Sequence, residues 1–282
     1  MIDKPIITRF APSPTGYLHL GHAYSALFAA RAAEEAGGRF LLRIEDVDPV
    51  RCKLEFIDAI YEDLRWLVLS WEEPVRMQSQ HLADYQTALD VLRGKGLLYP
   101  CFCTRREVMA ESAAACHAPH GPDGPVYAGT CRGLSASERQ ERLARGDIHV
   151  WRLDMAQALA VAGTSCWHDR VRGEIATQPE DFGDIMLARK DVPTSYHLSV
   201  TVDDHLQGAT LVTRGDDLFR STDIHRLLQA LLGYGTPEYH HHPLLKDETG
   251  KRFAKRDKAM TLRALRLAGR TPMEIKGIIG IG

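Results

Sequence analysis

A strand–helix–strand pattern near the N-terminus constrains the fold of this chain more than any other feature. The β-branched run IITRF (6–10) predicts a short strand that ends at the turn-forming sequence APSPTG. An alanine-rich span from Ala23 to Ala36 predicts a helix, and FLLRI (40–44) predicts a second, buried strand. Two strands joined by a helix form a parallel pair with a right-handed crossover, so we expect an α/β fold with a parallel sheet.

Elements of both kinds are expected further along the chain. Strand-like runs predict strands at 148–153, 198–202 and 209–213. Helical spacing or capping residues predict helices that begin near Leu54, Leu82, Ser221 (or Thr222) and Thr271.

Length and composition exclude several classes of protein. The 282 residues are 44% hydrophobic with a formal net charge of −2, which excludes an intrinsically disordered chain and a broadly basic nucleic-acid coat. No run reaches the ~18 apolar residues of a membrane helix, and MIDKPII lacks the regions of a signal peptide, so we expect a cytoplasmic protein without membrane contact. Residues 246–276 nevertheless hold ten Lys and Arg against four acidic residues, which predicts a local basic patch.

Four of the six cysteines lie within a segment, 100–147, that interrupts the predicted sheet. In a reducing compartment such clustering indicates a metal site rather than disulfides. Structural zinc takes four donors, and three thiolates are available from Cys101, Cys103 and Cys131. The residue types leave the fourth donor open among Cys116, His117 and His120. Reduced cysteines without a metal are the alternative. The run His240-His241-His242 is interpreted as structural and not as a metal site.

The sequence RFAPSPTGYLHLGH (9–22) carries the strongest chemical signal. His19 and His22 flank Gly21 at the point where the first helix is expected to begin. Backbone N–H groups and the helix dipole at such a start attract phosphate, and the imidazoles add hydrogen-bond donors. Taken alone, the motif is more typical of two surface histidines on a loop.

In its context, HLGH resembles the "HIGH" signature of class I aminoacyl-tRNA synthetases of the glutamyl-tRNA synthetase group. Further motifs match that group in order along the chain: RIEDVDPVR (43–51), YHLSVTVDDH (196–205), VTRGDDL (212–218) and GKRFAKRD (250–257). The resemblance implies a Rossmann-like catalytic core with a zinc-binding insertion and a short helical C-terminal segment. It implies four parts, namely a first catalytic half at 1–99, the insertion at 100–147, a second catalytic half at 148–235 and the lysine-motif loop with the helical segment at 236–282.

The same resemblance implies the site residues. ATP binding is implied for His19, Gly21, His22 and Lys255, of which the two histidines and the lysine are expected to be catalytic. Glutamate binding is implied for Arg9, Ala11, Ser13, Glu45, Tyr196 and Arg214. The chemistry agrees, because a guanidinium binds a carboxylate in a bidentate manner and Glu45 can meet an ammonium group. Tyr127 is implied as the fourth zinc ligand, beside Cys101, Cys103 and Cys131.

Departures from the group's patterns point to a paralogue of glutamyl-tRNA synthetase. The KMSKS-like motif is replaced by RFAKR (252–256), in which Ala254 stands in place of serine. Val200 and Leu218 stand where those synthetases commonly carry Asn and Trp. Few residues follow Arg256, too few for an anticodon-binding domain. The chain therefore resembles truncated paralogues that lack this domain.

This resemblance implies tRNA-independent activation of L-glutamate by ATP, with Mg²⁺ accompanying the nucleotide, and transfer of glutamate to queuosine in the anticodon of tRNA(Asp). We thus expect L-glutamate, ATP and queuosine-bearing tRNA(Asp) as partners, one structural Zn²⁺, and a monomer. The alternatives are a short glutamyl-tRNA synthetase that charges tRNA(Glu), a non-catalytic tRNA-binding relic, and a zinc-dependent RNA-interaction module.

Overall fold

A computed structural model describes residues 5–114, 120–122, 124–189, 192–245 and 261–281. The helices are α1 (Leu20–Glu35), α2 (Leu54–Trp66), α3 (Leu82–Gly94), α4 (Arg105–Ala114), α5 (Ala136–Ala144), α6 (Met155–Ala162), α7 (Tyr196–Leu206), α8 (Ser221–Leu232), α9 (Leu262–Leu267) and α10 (Pro272–Ile279). The strands are β1 (Ile7–Phe10), β2 (Arg39–Ile44), β3 (Glu72–Met77), β4 (Leu98–Cys101), β5 (His120–Gly121), β6 (Gly124–Pro125), β7 (Val150–Leu153), β8 (Cys166–Asp169), β9 (Gly173–Ala176), β10 (Met186–Arg189), β11 (Leu211–Gly215) and β12 (Glu238–His242).

The N-terminal strand–helix–strand unit forms as the sequence predicts. β1 and β2 pair in parallel, with Ile7 opposite Arg39, and β3 adds to the far side of β2. α1 packs against β1 through buried alanines, whose small side chains allow a close approach. A Cβ at Gly38 would lie 2.0 Å from the carbonyl oxygen of Ile6, so only glycine fits where the chain turns back into β2. The α/β prediction is confirmed.

A second parallel set continues the sheet. β11 pairs with β12 and β12 with β8, and β9 adds in antiparallel orientation. β1 and β11 lie side by side. The Thr210 N–H donates to the Ile7 carbonyl at 3.0 Å, and Arg9 Nη1 donates to the Thr213 carbonyl at 3.2 Å. The parallel strands thus run in the order β3–β2–β1–β11–β12–β8. The strand order reverses direction between β1 and β11. In doubly wound sheets, ligands bind at the carboxyl ends of the two strands that flank such a reversal.

Two large apolar clusters form most of the core. One joins α1 and α2 to the C-terminal helices α9 and α10. The other joins α3, α6, α7 and α8. The predicted helical segment at the C-terminus is therefore present, with α10 packed against α1 and α9 against α2. A separate antiparallel sheet, β10–β7–β4, leads into the cysteine-rich segment.

The prediction of a strand at 198–202 is wrong, because these residues lie in α7. The helix begins after Ser195, whose Oγ accepts the N–H of Leu198 at 3.4 Å. Every residue from Leu198 to Asp204 is buried, and α7 packs against both α3 and α8. A helix buried on all sides shows no polar face, so its β-branched run resembles a buried strand.

The predicted cap of α8 is also wrong. The N-cap is Arg220, and neither Ser221 nor Thr222 caps the helix. Thr222 lies inside the first turn, where its hydroxyl accepts a hydrogen bond from Arg214. The side chain is therefore engaged by the neighbouring strand rather than by its own backbone.

Some predictions lie outside the described residues, among them the lysine motif with Lys255 and the first part, 246–260, of the basic segment. The four-part division of the chain stays a proposal. None of the described helices combines the length and the apolar content that crossing a bilayer requires.

Candidate active site and metal centre

A cavity of about 620 Å³ opens at the carboxyl ends of β1 and β11. It is lined by all the predicted ATP- and glutamate-binding residues that the structure describes, namely Arg9, Ala11, Ser13, His19, Gly21, His22, Glu45, Tyr196 and Arg214. Val200 and Leu218, the two departures from the synthetase pattern, line it as well. The structure thus gathers residues from distant parts of the chain at one point, while their individual roles stay predictions.

His19 and His22 form a capping box at the start of α1. His19 Nδ1 accepts the N–H of Gly21, and His22 Nδ1 accepts the N–H of His19, both at 3.1 Å. Since each Nδ1 is an acceptor, the proton of each neutral ring is on Nε2, which is a donor suited to phosphate oxygens. A Cβ at Gly21 would lie 3.0 Å from the His19 ring, so glycine keeps this cap undisturbed.

Arg9 and Arg43 share a buried carboxylate beneath the cavity. Arg9 donates to Asp204 through Nε and Nη2 at 2.9 and 3.2 Å, and Arg43 Nη1 donates to the same carboxylate at 2.8 Å. Burial favours the neutral acid, but the two guanidinium groups hold the pKa of Asp204 at about 2. Glu45 accepts from Arg43 at 3.2 Å, yet burial raises its pKa above the usual value.

Sequence reasoning missed Arg43 and Asp204. Each lies within an apolar run, in FLLRI and in LSVTVDD. A charge inside a buried segment is tolerated only when it is paired, so these positions predict partners elsewhere in the chain. A charged residue within an apolar run was therefore a visible signal of a buried ion pair, but it did not identify the partner residue.

Arg214 lies in a different electrostatic environment from Arg9. Its guanidinium donates to His241 Nε2 at 3.2 Å, to His225 Nδ1 at 3.0 Å and to the Thr222 hydroxyl. Within the described part of the chain, no carboxylate lies at ion-pair distance from it. A buried guanidinium without a carboxylate partner is suited to bind one from a ligand.

Three cysteines and Tyr127 converge at the end of β4. The Sγ atoms of Cys101, Cys103 and Cys131 all lie within 4.8 Å of one another. Tyr127 Oη lies 3.3 Å from Cys101 Sγ and 3.4 Å from Cys103 Sγ, and Cys103 Sγ lies 3.5 Å from Cys131 Sγ. Donors around a tetrahedral zinc at about 2.3 Å are roughly 3.5–3.8 Å apart, so this donor set fits the ion. The sulfur separations exceed a disulfide bond of about 2.05 Å.

The other candidates for the fourth ligand are not located. Cys116 and His117 lie outside the described residues, and the side chain of His120 is not described either. Tyr127 is buried, and its hydroxyl also accepts the N–H of Cys131 at 2.9 Å, which fixes the phenol against the thiolates.

Comparisons with known proteins agree with the motifs. Residues 5–279 match the family described as tRNA synthetases class I (E and Q), catalytic domain. A protein from Rhodobacter capsulatus named Glutamyl-Q tRNA(Asp) synthetase is 47% identical over 282 residues, covering 98% of this chain and 100% of that protein. A protein of the same name from Nocardia farcinica is 42% identical over 271 residues, covering 96% and 82%.

A solved structure agrees as well. The crystal structure of a glutamate tRNA ligase from Elizabethkingia meningosepticum in complex with its amino acid matches with a TM-score of 0.77 and 29% identity. The match covers 90% of this chain and 52% of the ligase, so this chain spans about half the length of that protein.

These findings confirm the resemblance, the class I catalytic fold and the assignment to ligases of the aminoacyl-tRNA synthetase type. The cysteine cluster agrees with a metal-binding insertion, and the identity of the metal stays a prediction. The chain belongs to the class I tRNA synthetase family of the E and Q type.

Proposed function

We propose that the chain activates L-glutamate with ATP, without tRNA, and transfers the glutamyl group to queuosine in tRNA(Asp). The observation that carries this proposal is Arg214, a buried cation without a carboxylate partner among the described residues, in the same cavity as His19 and His22. The names of the relatives from Rhodobacter capsulatus and Nocardia farcinica support queuosine as the acceptor.

In the first step, an oxygen of the glutamate α-carboxylate attacks the α-phosphorus of ATP. The bond between that phosphorus and its bridging oxygen breaks, pyrophosphate leaves, and glutamyl-adenylate remains. Negative charge grows on the phosphoryl oxygens, and the Nε2–H donors of His19 and His22 at the positive end of α1 stabilise it. Lys255 is proposed to neutralise the departing pyrophosphate.

Recognition of glutamate is assigned to groups of opposite charge in the cavity. Arg214 binds the side-chain carboxylate, helped by the Tyr196 hydroxyl, and Glu45 accepts from the ammonium group. Arg9 already gives two donors to Asp204, so its contribution to the substrate is smaller. Val200 and Leu218 supply no hydrogen bond, which places the selection of a carboxylate on Arg214. Ala11 and Ser13 also line the cavity.

In the second step, a hydroxyl of the cyclopentenediol ring of queuosine attacks the carbonyl carbon of glutamyl-adenylate. An ester forms, the bond to the phosphate oxygen breaks, AMP leaves and the hydroxyl proton passes to the phosphate or to water. We expect labelled glutamate to appear on tRNA(Asp) that contains queuosine. The matched tRNA(Asp) with guanosine at that position stays unlabelled, as does tRNA(Glu).

Two outcomes, one from this transfer assay and one from an ATP–pyrophosphate exchange assay, contradict the proposal. Labelling of tRNA(Glu) alone would identify a short glutamyl-tRNA synthetase. A lack of ATP–pyrophosphate exchange with glutamate in the absence of tRNA would favour a non-catalytic relic. The exchange assay thus tests activation, and the transfer assay tests the acceptor.

We also propose that Cys101, Cys103, Cys131 and Tyr127 hold one Zn²⁺. When bound, the ion cross-links the end of β4 to the turn at 127–131 and stabilises the insertion.

The purified protein is expected to carry about one equivalent of zinc by elemental analysis, and Cys103→Ser is expected to carry almost none. Cys166→Ser, at an exposed cysteine far from the cluster in sequence, is the matched control and keeps the metal. A folded wild-type protein without metal would contradict the assignment.

A further inference from the structure

The histidine run at 240–242, interpreted from sequence as structural, contains a residue that reaches the candidate active site. β12 carries His241 beside β11, with Arg214 and His241 in register. His241 is buried, and its Nε2 lies 3.2 Å from Arg214 Nε. The proposed function assigns no role to it, nor to His225, which contacts the same guanidinium from α8 at 3.0 Å.

The chemistry of the guanidinium fixes the protonation of both rings. Arginine has donors only, so the two ring nitrogens that face Arg214 must be unprotonated acceptors. The proton of His241 is then on Nδ1, which lies 2.8 Å from a carboxylate oxygen of Asp169. The proton of His225 is on Nε2, which lies 3.1 Å from His197 Nδ1.

Asp169 is itself held in one orientation. One carboxylate oxygen accepts the N–H groups of Val171 and Arg172 at 2.9 and 3.1 Å. The other accepts the backbone N–H of His241 at 3.1 Å in addition to the ring N–H. A carboxylate that accepts four N–H groups stays charged and fixes the imidazole to which it is bonded.

Burial keeps the two rings neutral. Burial and the positive charge of Arg214 lower the pKa of His241 to about 4, and the same two causes lower the pKa of His225 well below its usual value. Arg214 is therefore surrounded by acceptors that hold its geometry without cancelling its charge. Arg9 shows the contrast, because a carboxylate holds it and neutralises it.

We propose that His241, oriented by Asp169, and His225 are positioning residues that hold Arg214 as an uncompensated cation facing the amino-acid cavity. Three of the five N–H groups of Arg214 are engaged by His241, His225 and Thr222. The other two have no partner among the residues that the structure describes, and they can donate to the carboxylate of a ligand. That the ligand is glutamate rests on the proposed function, whereas the tautomers and the geometry do not.

The three consecutive histidines do not form a metal site. Neighbouring residues of a strand point to opposite faces, and the rings of His240 and His242 pack against Phe28 while His241 faces Arg214 and Asp169. Both ring nitrogens of His241 are engaged in hydrogen bonds, so neither is left as a ligand for a metal.

Kinetics separate a positioning role from a merely structural one. His241→Phe keeps a ring but removes the acceptor, and we expect the KM for glutamate in ATP–pyrophosphate exchange to rise roughly 30-fold. The KM for ATP should stay within about twofold. His241→Gln restores an acceptor and should recover the glutamate KM to within about fivefold of wild type. His240→Gln, on the opposite face of β12, is the matched control and should leave both constants unchanged.

Two results of this experiment overturn the inference. One is a wild-type glutamate KM in His241→Phe, and the other is a parallel rise of both KM values, which indicates general damage. If wild type itself shows no exchange with glutamate, the proposed function fails rather than the positioning role.

Nitrogen NMR tests the positioning role without an activity measurement, on the wild-type protein itself. In wild-type protein labelled with ¹⁵N-histidine at pH 7, His241 is expected as the neutral Nδ1–H tautomer and His225 as the neutral Nε2–H tautomer. The variants His241→Gln and His225→Gln assign the signals by their loss. The opposite tautomer at either residue, or a doubly protonated ring, overturns the inference.

Discussion

Replacing Arg214 by alanine is expected to raise the KM for glutamate in ATP–pyrophosphate exchange by about 10³-fold, equivalent to about 4 kcal/mol. The physical reason is that this guanidinium has no carboxylate partner within the described part of the chain, and the proposed function assigns it the carboxylate of the substrate. Arg214→Lys keeps the charge but loses the planar fork, and it should recover only part of the affinity.

The structure also predicts that Arg214→Ala still folds. Its hydrogen-bond partners are neutral, so removing the arginine leaves no unpaired charge in the interior. Arg9→Ala is the matched contrast, since it leaves Asp204 with one cation fewer and should lower the melting temperature. A wild-type glutamate KM in a folded Arg214→Ala variant would refute the assignment of the carboxylate site.

The sequence predicted the segments that surround the candidate site, because each of these segments carries a local motif. The turn after β1, the start of α1 and the end of β11 each carry a motif within about ten residues, and parallel pairing brings their carboxyl ends together. The buried charge network was missed because its partners are remote. Asp204 is 195 residues from Arg9 and 161 from Arg43 along the chain.

The wrong prediction of a strand at 198–202 shows that tertiary packing decides the secondary structure of this segment. In a strand, Tyr196 and Val200 would be about 13 Å apart, whereas in a helix they are neighbours on successive turns. The helix therefore presents both side chains to the same cavity. A run such as LSVTV carries no periodicity that separates the two cases, and burial between α3 and α8 decides between them.

Replacing Asp204 by asparagine is expected to lower the free energy of unfolding at pH 7 by about 3–5 kcal/mol. The variant removes the carboxylate that Arg9 and Arg43 share, and leaves two buried guanidinium groups with one fewer counter-charge. Urea denaturation measures the change as a lower midpoint with an unaltered slope. Glu72→Gln is the matched control, because its ion pair with Arg39 is exposed and should cost less than about 1 kcal/mol.

The pH dependence of the stability difference between wild type and Asp204→Asn identifies the cause of that difference. The pKa of Asp204 is held at about 2 by Arg9 and Arg43 against the effect of burial, which is below the ordinary value of an unfolded aspartate. Its ionised form therefore stabilises the fold fully above pH ~4, and this stabilisation is lost as the pH falls from about 4 towards 2. The difference in free energy of unfolding between wild type and Asp204→Asn should accordingly become smaller across that pH interval. A gap that stays constant down to pH 2 would show that packing, and not charge, accounts for the loss.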